Sequence, residues 1–149
     1  GSSVLGADDK AAVAAIVEAV EGYRKAVKPD PDHPWLASRP EKTGLNVWGV
    51  AMDSQGHQLA HIHPSAWLSG VYYARIPGVI GDHDPAHAGW IEFGRAPEDL
   101  HSPTEPEVRL VRPEEGLMVL FPSYFYHRTI PYESDDVRIS VAFDVLAAE

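Results

Sequence analysis

From Asp8 to Val27 the chain reads DDKAAVAAIVEAVEGYRKAV, with alanine and valine recurring at helical spacing. The pattern predicts one amphipathic helix over 8–27, with Asp8 and Asp9 at its N-cap and first turn. Lys28 to Pro40 carries four prolines, which argues against regular structure there, and Trp35 is expected to pin this loop to the core. From Gly44 onward the hydrophobic period falls towards two and stays there. LNVWGVAM alternates, DSQG (Asp53 to Gly56) turns the chain, and HQLAHIH opens the next strand. LSGVYYARI is a third strand, closed by Pro77-Gly78. A loop over Gly78 to Gly89 leads to WIEF, and the polar segment Gly94 to Pro106 leads to EVRLV. A turn at Pro113 to Gly116 precedes LMVLF; FYHRTI and VRISVAFDV then close the chain across the acidic turn ESDD.

Eight strands with no helix between them predict a mainly β sandwich or barrel, with the helix packed outside. The expected division is 1–43 for the helix and Pro-rich loop and 44–149 for the β core, the two forming a single domain. The net charge of −10 argues against nucleic acid or an anionic membrane as partner. No apolar run approaches the roughly 20 residues of a membrane span, and no signal-peptide pattern opens the chain, so a cytoplasmic protein is expected. Gly1-Ser2 reads as a cloning remnant on one piece of a longer protein. Cysteine is absent, which excludes thiolate chemistry and leaves histidine and carboxylate as the strong metal ligands.

Histidine is where the chemistry concentrates. His57, His83, His87 and His101 are read as solvated or structural, and His33 as a surface or turn residue. His61, His63 and His127 differ, because each lies on a predicted strand beside apolar neighbours, where an unpaired imidazole would be costly to bury. His61 and His63 are two residues apart and face the same side of an extended chain. A metal held by neutral imidazole nitrogen would resolve that cost. Arg138 follows eleven residues after His127, and its planar fork suits a carboxylate. Imidazoles converging with an arginine deeper in one cavity point to a redox metal and a carboxylate co-substrate.

The H-x-H pair alone occurs in zinc enzymes and cupins too; order and spacing add the specificity. HIHP at His61 to Pro64, SGVYY at Ser69 to Tyr73, GWIEF at Gly89 to Phe93, FPSYFYH at Phe121 to His127 and RIS at Arg138 to Ser140 form a series. With these motifs the chain resembles the Fe(II)- and 2-oxoglutarate-dependent oxygenases, and within them a small bacterial 2OG-Fe(II) oxygenase group, over Gly44 to Val145. The resemblance implies a double-stranded β-helix (a jelly-roll or cupin-like barrel), Fe(II) and 2-oxoglutarate as cofactors, and O2 as co-substrate. It implies hydroxylation of a C–H bond in a peptide, protein or small molecule, with release of succinate and CO2. His61 and His127 fall at iron-ligand positions, Arg138 where the distal carboxylate of 2-oxoglutarate is bound, and Ser140 as its hydroxyl partner. Tyr73 matches a tyrosine that donates to that carboxylate in prolyl-hydroxylase-like members, whereas Tyr72 points to the other face and packs.

Position 63 departs from the superfamily pattern, which places a carboxylate there. Either His63 is a third neutral ligand, or it lies outside the ligand set, or a carboxylate from elsewhere, with Glu92 the best candidate, completes the site. An all-histidine site would carry more positive charge, holding Fe(II) less tightly and the anionic co-substrate more strongly. Trp67 and Trp90, with the Gly78 to Trp90 loop, are candidates for the substrate mouth. Two other readings stay open: a three-histidine cupin-type dioxygenase without 2-oxoglutarate, and a non-catalytic metal-binding jelly-roll module. Arg138-x-Ser140 separates the first reading from both.

Overall fold

The computed structural model describes residues 2–53 and 58–149. The turn expected at Asp53 to Gly56, Asp53 apart, and His57 lie outside them. Helix α1 spans Ser2–Ala26, so it begins before the expected start, and Asp8 and Asp9 are inside it rather than at its cap. Ala12, Ile16 and Val20, each four residues from the next, are buried along one stripe, and Ile16 and Val20 pack on the β core. Arg39 closes the C-terminal end, its guanidinium donating to the carbonyls of Arg24 and Val27 at 3.0 Å each.

The Pro-rich loop contains one unexpected turn of helix, α2 (Pro34–Ala37). Pro34 sits in its first turn, where a missing N–H costs nothing, and His33 caps it by accepting the Leu36 N–H on Nδ1 at 3.3 Å. As expected, Trp35 pins this segment: its ring stacks on Trp67 at 5.1 Å and its Nε1 donates to the Trp67 carbonyl at 2.8 Å.

Eight strands follow: β1 (Thr43–Met52), β2 (Gln58–His61), β3 (Leu68–Arg75), β4 (Ile91–Phe93), β5 (Arg109–Val111), β6 (Met118–Pro122), β7 (His127–Thr129) and β8 (Arg138–Ala147). They form two four-stranded antiparallel sheets, ordered β1-β8-β3-β6 and β2-β7-β4-β5. Among the described residues no strand of one sheet pairs with a strand of the other, so the barrel expected from the sequence is not closed. Strands of three or four residues in the second sheet are too short to carry the ladder around the edge.

Alternation along β8 assigns the layers. Val141, Phe143 and Val145 face outward and are buried with Ile16, Val20 and Leu68, forming the core between α1 and the first sheet. Arg138, Ser140 and Ala142 face inward, towards the second sheet. A smaller core of Ile91, Phe93 and Phe121 fills part of the space between the sheets. No helix is long and apolar enough to cross a membrane.

Candidate active site

The space between the sheets narrows to a cavity of about 90 Å³, reached by His61, His63 and His127 from one side and by Arg138 from the other. His61 ends β2 and His127 begins β7, and the two are paired across the ladder. His63 lies just beyond the strand, but its backbone N–H donates to the Ser123 carbonyl at 3.0 Å, which keeps the chain extended and the ring inward. The ring centroids of His61 and His127 are 4.3 Å apart, and each lies 5.1 Å from that of His63. One ring nitrogen from each of the three falls within 4.8 Å of the other two.

The hydrogen bonds fix which nitrogen is free. His61 Nδ1 faces the Leu59 carbonyl at 2.6 Å, His127 Nδ1 faces the Phe125 carbonyl at 3.0 Å, and His63 Nδ1 faces the Asp144 carboxylate at 2.9 and 3.1 Å. Carbonyls and carboxylates only accept, so all three Nδ1 atoms carry the proton and donate. Three Nε2 lone pairs remain, a donor set that could hold a metal ion without any change of tautomer. Burial pushes the pKa of His127 down to about 4, although the Phe125 carbonyl works the other way, so the ring is neutral near pH 7.

The opposite end of the cavity suits an anion. Arg138 is buried, and its Nη2 finds Met52 Sδ at 2.8 Å and Thr129 Oγ1 at 3.3 Å. Its Nε and Nη1 have no hydrogen-bond partner among the described residues. Buried guanidinium N–H groups without an acceptor are expensive, and a carboxylate entering the cavity would supply a bidentate one. Tyr73, Ser140 and Thr129, all buried, line the same cavity. Burial pushes the Tyr73 phenol up to about 12 against the opposing pull of Arg138, so it stays protonated and able to donate.

Other sequence expectations fall differently. Tyr72 packs on the helix-facing core, as expected. Glu92 is buried on the far side of β4, between the inward residues Ile91 and Phe93. Arg128 and Arg95 reach its Oε1 at 2.7 and 3.2 Å. Burial opposes ionisation of Glu92, but the two arginines outweigh it and hold its pKa below the usual range. It is therefore committed to an ion-pair cluster away from the imidazoles. Trp67 is not at a mouth: it is 5% exposed, between Trp35 and Tyr23 in the helix-facing core. Trp90 is half-buried beside His87, donates to the Gly81 carbonyl at 3.3 Å, and does not line the cavity. The aromatic at the rim is Trp48 of β1, 39% exposed and stacked 6.3 Å from His63. Asp144 and Ser69 also escaped the sequence reading, although Asp144 continues the two-residue step of Arg138, Ser140 and Ala142.

The model of a family described as "Putative 2OG-Fe(II) oxygenase" matches residues 46–144 of this chain. Among solved structures, a Pseudomonas putida prolyl-4-hydroxylase is similar in fold, with a TM-score of 0.50 and 15% identity. The match covers 70% of this chain and 52% of the hydroxylase, so the chain spans about half the length of that protein. No curated protein sequence matches.

Proposed function

The chain belongs to the 2OG-Fe(II) oxygenase family, and on that premise we propose that it is an Fe(II)- and 2-oxoglutarate-dependent dioxygenase that hydroxylates a C–H bond. The observation that carries this reading is the buried Arg138, whose Nε and Nη1 have no partner among the described residues, across one cavity from three imidazoles with free Nε2 atoms. His61, His63 and His127 would hold Fe(II) through Nε2. Arg138 would grip the distal carboxylate of 2-oxoglutarate, with Tyr73 and Ser140 as hydroxyl partners. Iron, when bound, supplies the redox chemistry that couples oxidative decarboxylation of 2-oxoglutarate to hydroxylation, giving succinate and CO2.

The chain's own share is placement and exclusion. The backbone carbonyls of Leu59 and Phe125 hold two rings in the ligating tautomer, so binding needs no tautomer change. Phe121, Ile91 and Val71 form apolar walls of the cavity and limit the water near the reacting centre. Trp48 at the rim is the residue placed to meet the substrate, taking the role first expected of Trp67 and Trp90. The strand orders support a double-stranded β-helix, because β1-β8-β3-β6 facing β2-β7-β4-β5 interleaves two Greek keys. Residues 44–149 are read as the catalytic core, with 1–43 as an outer helix and loop.

An all-imidazole ligand set favours a second reading, a three-histidine cupin-type dioxygenase that needs no 2-oxoglutarate. Arg138 argues against it, since no carboxylate would then meet its free N–H groups. The test is CO2 release from carboxyl-labelled 2-oxoglutarate, with and without Fe(II) and O2 and with no other substrate added. Slow release that requires both supports the proposal. No release, with Fe(II) bound, moves the assignment to the second reading.

A further inference from the structure

The three imidazoles do not have equivalent partners. His61 and His127 each donate to a neutral carbonyl two residues earlier in the same segment. His63 donates to a charged carboxylate from another strand, Asp144 of β8, 81 positions away in the sequence. That carboxylate is itself held: Ser69 Oγ donates to Asp144 Oδ1 at 2.6 Å from the adjacent strand, at the position paired with Asp144 in the β3–β8 register. The side chains of His63 and Asp144 are 19% and 13% exposed, so their interaction is only partly screened by solvent. Among the described residues, no carboxylate is grouped with the imidazoles as a direct ligand candidate.

We propose that Asp144 is a positioning residue that makes His63 the electron-rich member of the ligand set, with Ser69 fixing the carboxylate in place. The inference rests on the reading of the three imidazoles as a metal centre, and it deepens that reading. A neutral imidazole whose Nδ1–H donates to an anion has a more basic Nε2. The negative charge missing from an all-imidazole set is thus supplied one hydrogen bond away. Asp144 touches neither metal nor substrate in this scheme and acts through His63.

The experiment has two readouts on wild type, Asp144→Asn, Ser69→Ala, His63→Ala and the His63→Ala/Asp144→Asn double variant. In metal-free, 15N-labelled protein, long-range proton–nitrogen correlation gives the His63 tautomer directly. Wild type should show the proton on Nδ1, and Asp144→Asn, which can present an amide N–H to the ring, should shift it towards Nε2. Cobalt(II) affinity by competition titration should fall about 10–100-fold in Asp144→Asn and by less in Ser69→Ala. In the His63→Ala background, Asp144→Asn should cost nothing further. That background also separates positioning from a folding defect, which would persist without His63. The proposal is overturned if His63 keeps its tautomer and cobalt affinity is unchanged in Asp144→Asn, or if the loss is equally large without His63. The functional reading fails by a different sign: the wild-type cobalt(II) spectrum would not respond to 2-oxoglutarate, whatever Asp144→Asn does.

Discussion

Arg138→Met separates stability from function. Arg138 is 4% exposed, and among the described residues the partners of its guanidinium are a thioether sulfur and one hydroxyl, with the Tyr132 ring centroid 5.6 Å from Cζ. Its Nε and Nη1 have no acceptor among the described residues, and no carboxylate there forms an ion pair with it, so the metal-free protein carries a poorly compensated buried charge. Replacing a poorly compensated buried charge by an apolar side chain of similar volume can stabilise a protein by about 1–4 kcal/mol. Methionine is close to arginine in volume, though two heavy atoms shorter in reach, and its thioether would pack in the space beside Met52 and Tyr132. For a chain of this size that gain corresponds to a melting temperature higher by roughly 3–12 °C. Ligand protection should move the other way. Saturating 2-oxoglutarate, at about 100 times Kd, adds about 2.7 kcal/mol to a protein that binds it. Scanning calorimetry of metal-free protein, and of manganese(II)-loaded protein with and without 2-oxoglutarate, reads both effects. Arg138→Met should melt higher than wild type when metal-free and gain nothing from 2-oxoglutarate. A variant that melts lower than wild type, or is still protected by 2-oxoglutarate, refutes the reasoning.

Trp67→Ala should cost about 3–5 kcal/mol by emptying the helix-facing core, yet leave 2-oxoglutarate affinity unchanged; Trp48→Ala should do the reverse, costing little stability while changing substrate turnover, and chemical denaturation beside binding assays compares them. Gly70→Ala would drive a Cβ into the ring of the fully buried Phe143, and equilibrium unfolding should show a loss of about 1–3 kcal/mol. Acidification tests His127: its folded pKa of about 4 lies below the ordinary 6.5, so the unfolded chain binds more protons between those values and stability falls as pH drops through that window. The loss, roughly 3 kcal/mol by pH 4 in metal-free protein, should be absent in His127→Gln.

How far these residues were legible depends on how far strand parity reaches. Along β8 a two-residue step runs from Arg138 through Ser140 and Ala142 to Asp144, so the inward set followed from the sequence even though Asp144 went unused. The same parity turns Glu92 outward, since Ile91 and Phe93 on either side face in. Trp67 misled because it precedes β3, where the chain is not yet extended and counting in twos carries no information. His63 also lies outside its strand, held by its backbone hydrogen bond to Ser123 in the turn between β6 and β7, and no local pattern announces such a long-range bond. Trp48 alternates with Val50 on the cavity face of β1; nothing within that strand says which face meets the second sheet. That the barrel is not closed among the described residues was hidden for a related reason, since closure depends on pairing across edges that alternation cannot reveal.

The central claim is that one cavity holds both Fe(II) and 2-oxoglutarate. Anaerobic titration of Fe(II) and then 2-oxoglutarate into the metal-free protein, followed in the visible range, tests it most directly. A metal-to-ligand charge-transfer band that needs both ligands and is lost in His61→Ala, His127→Ala and Arg138→Met is the expected result. Fe(II) binding with no such band on adding 2-oxoglutarate would contradict it.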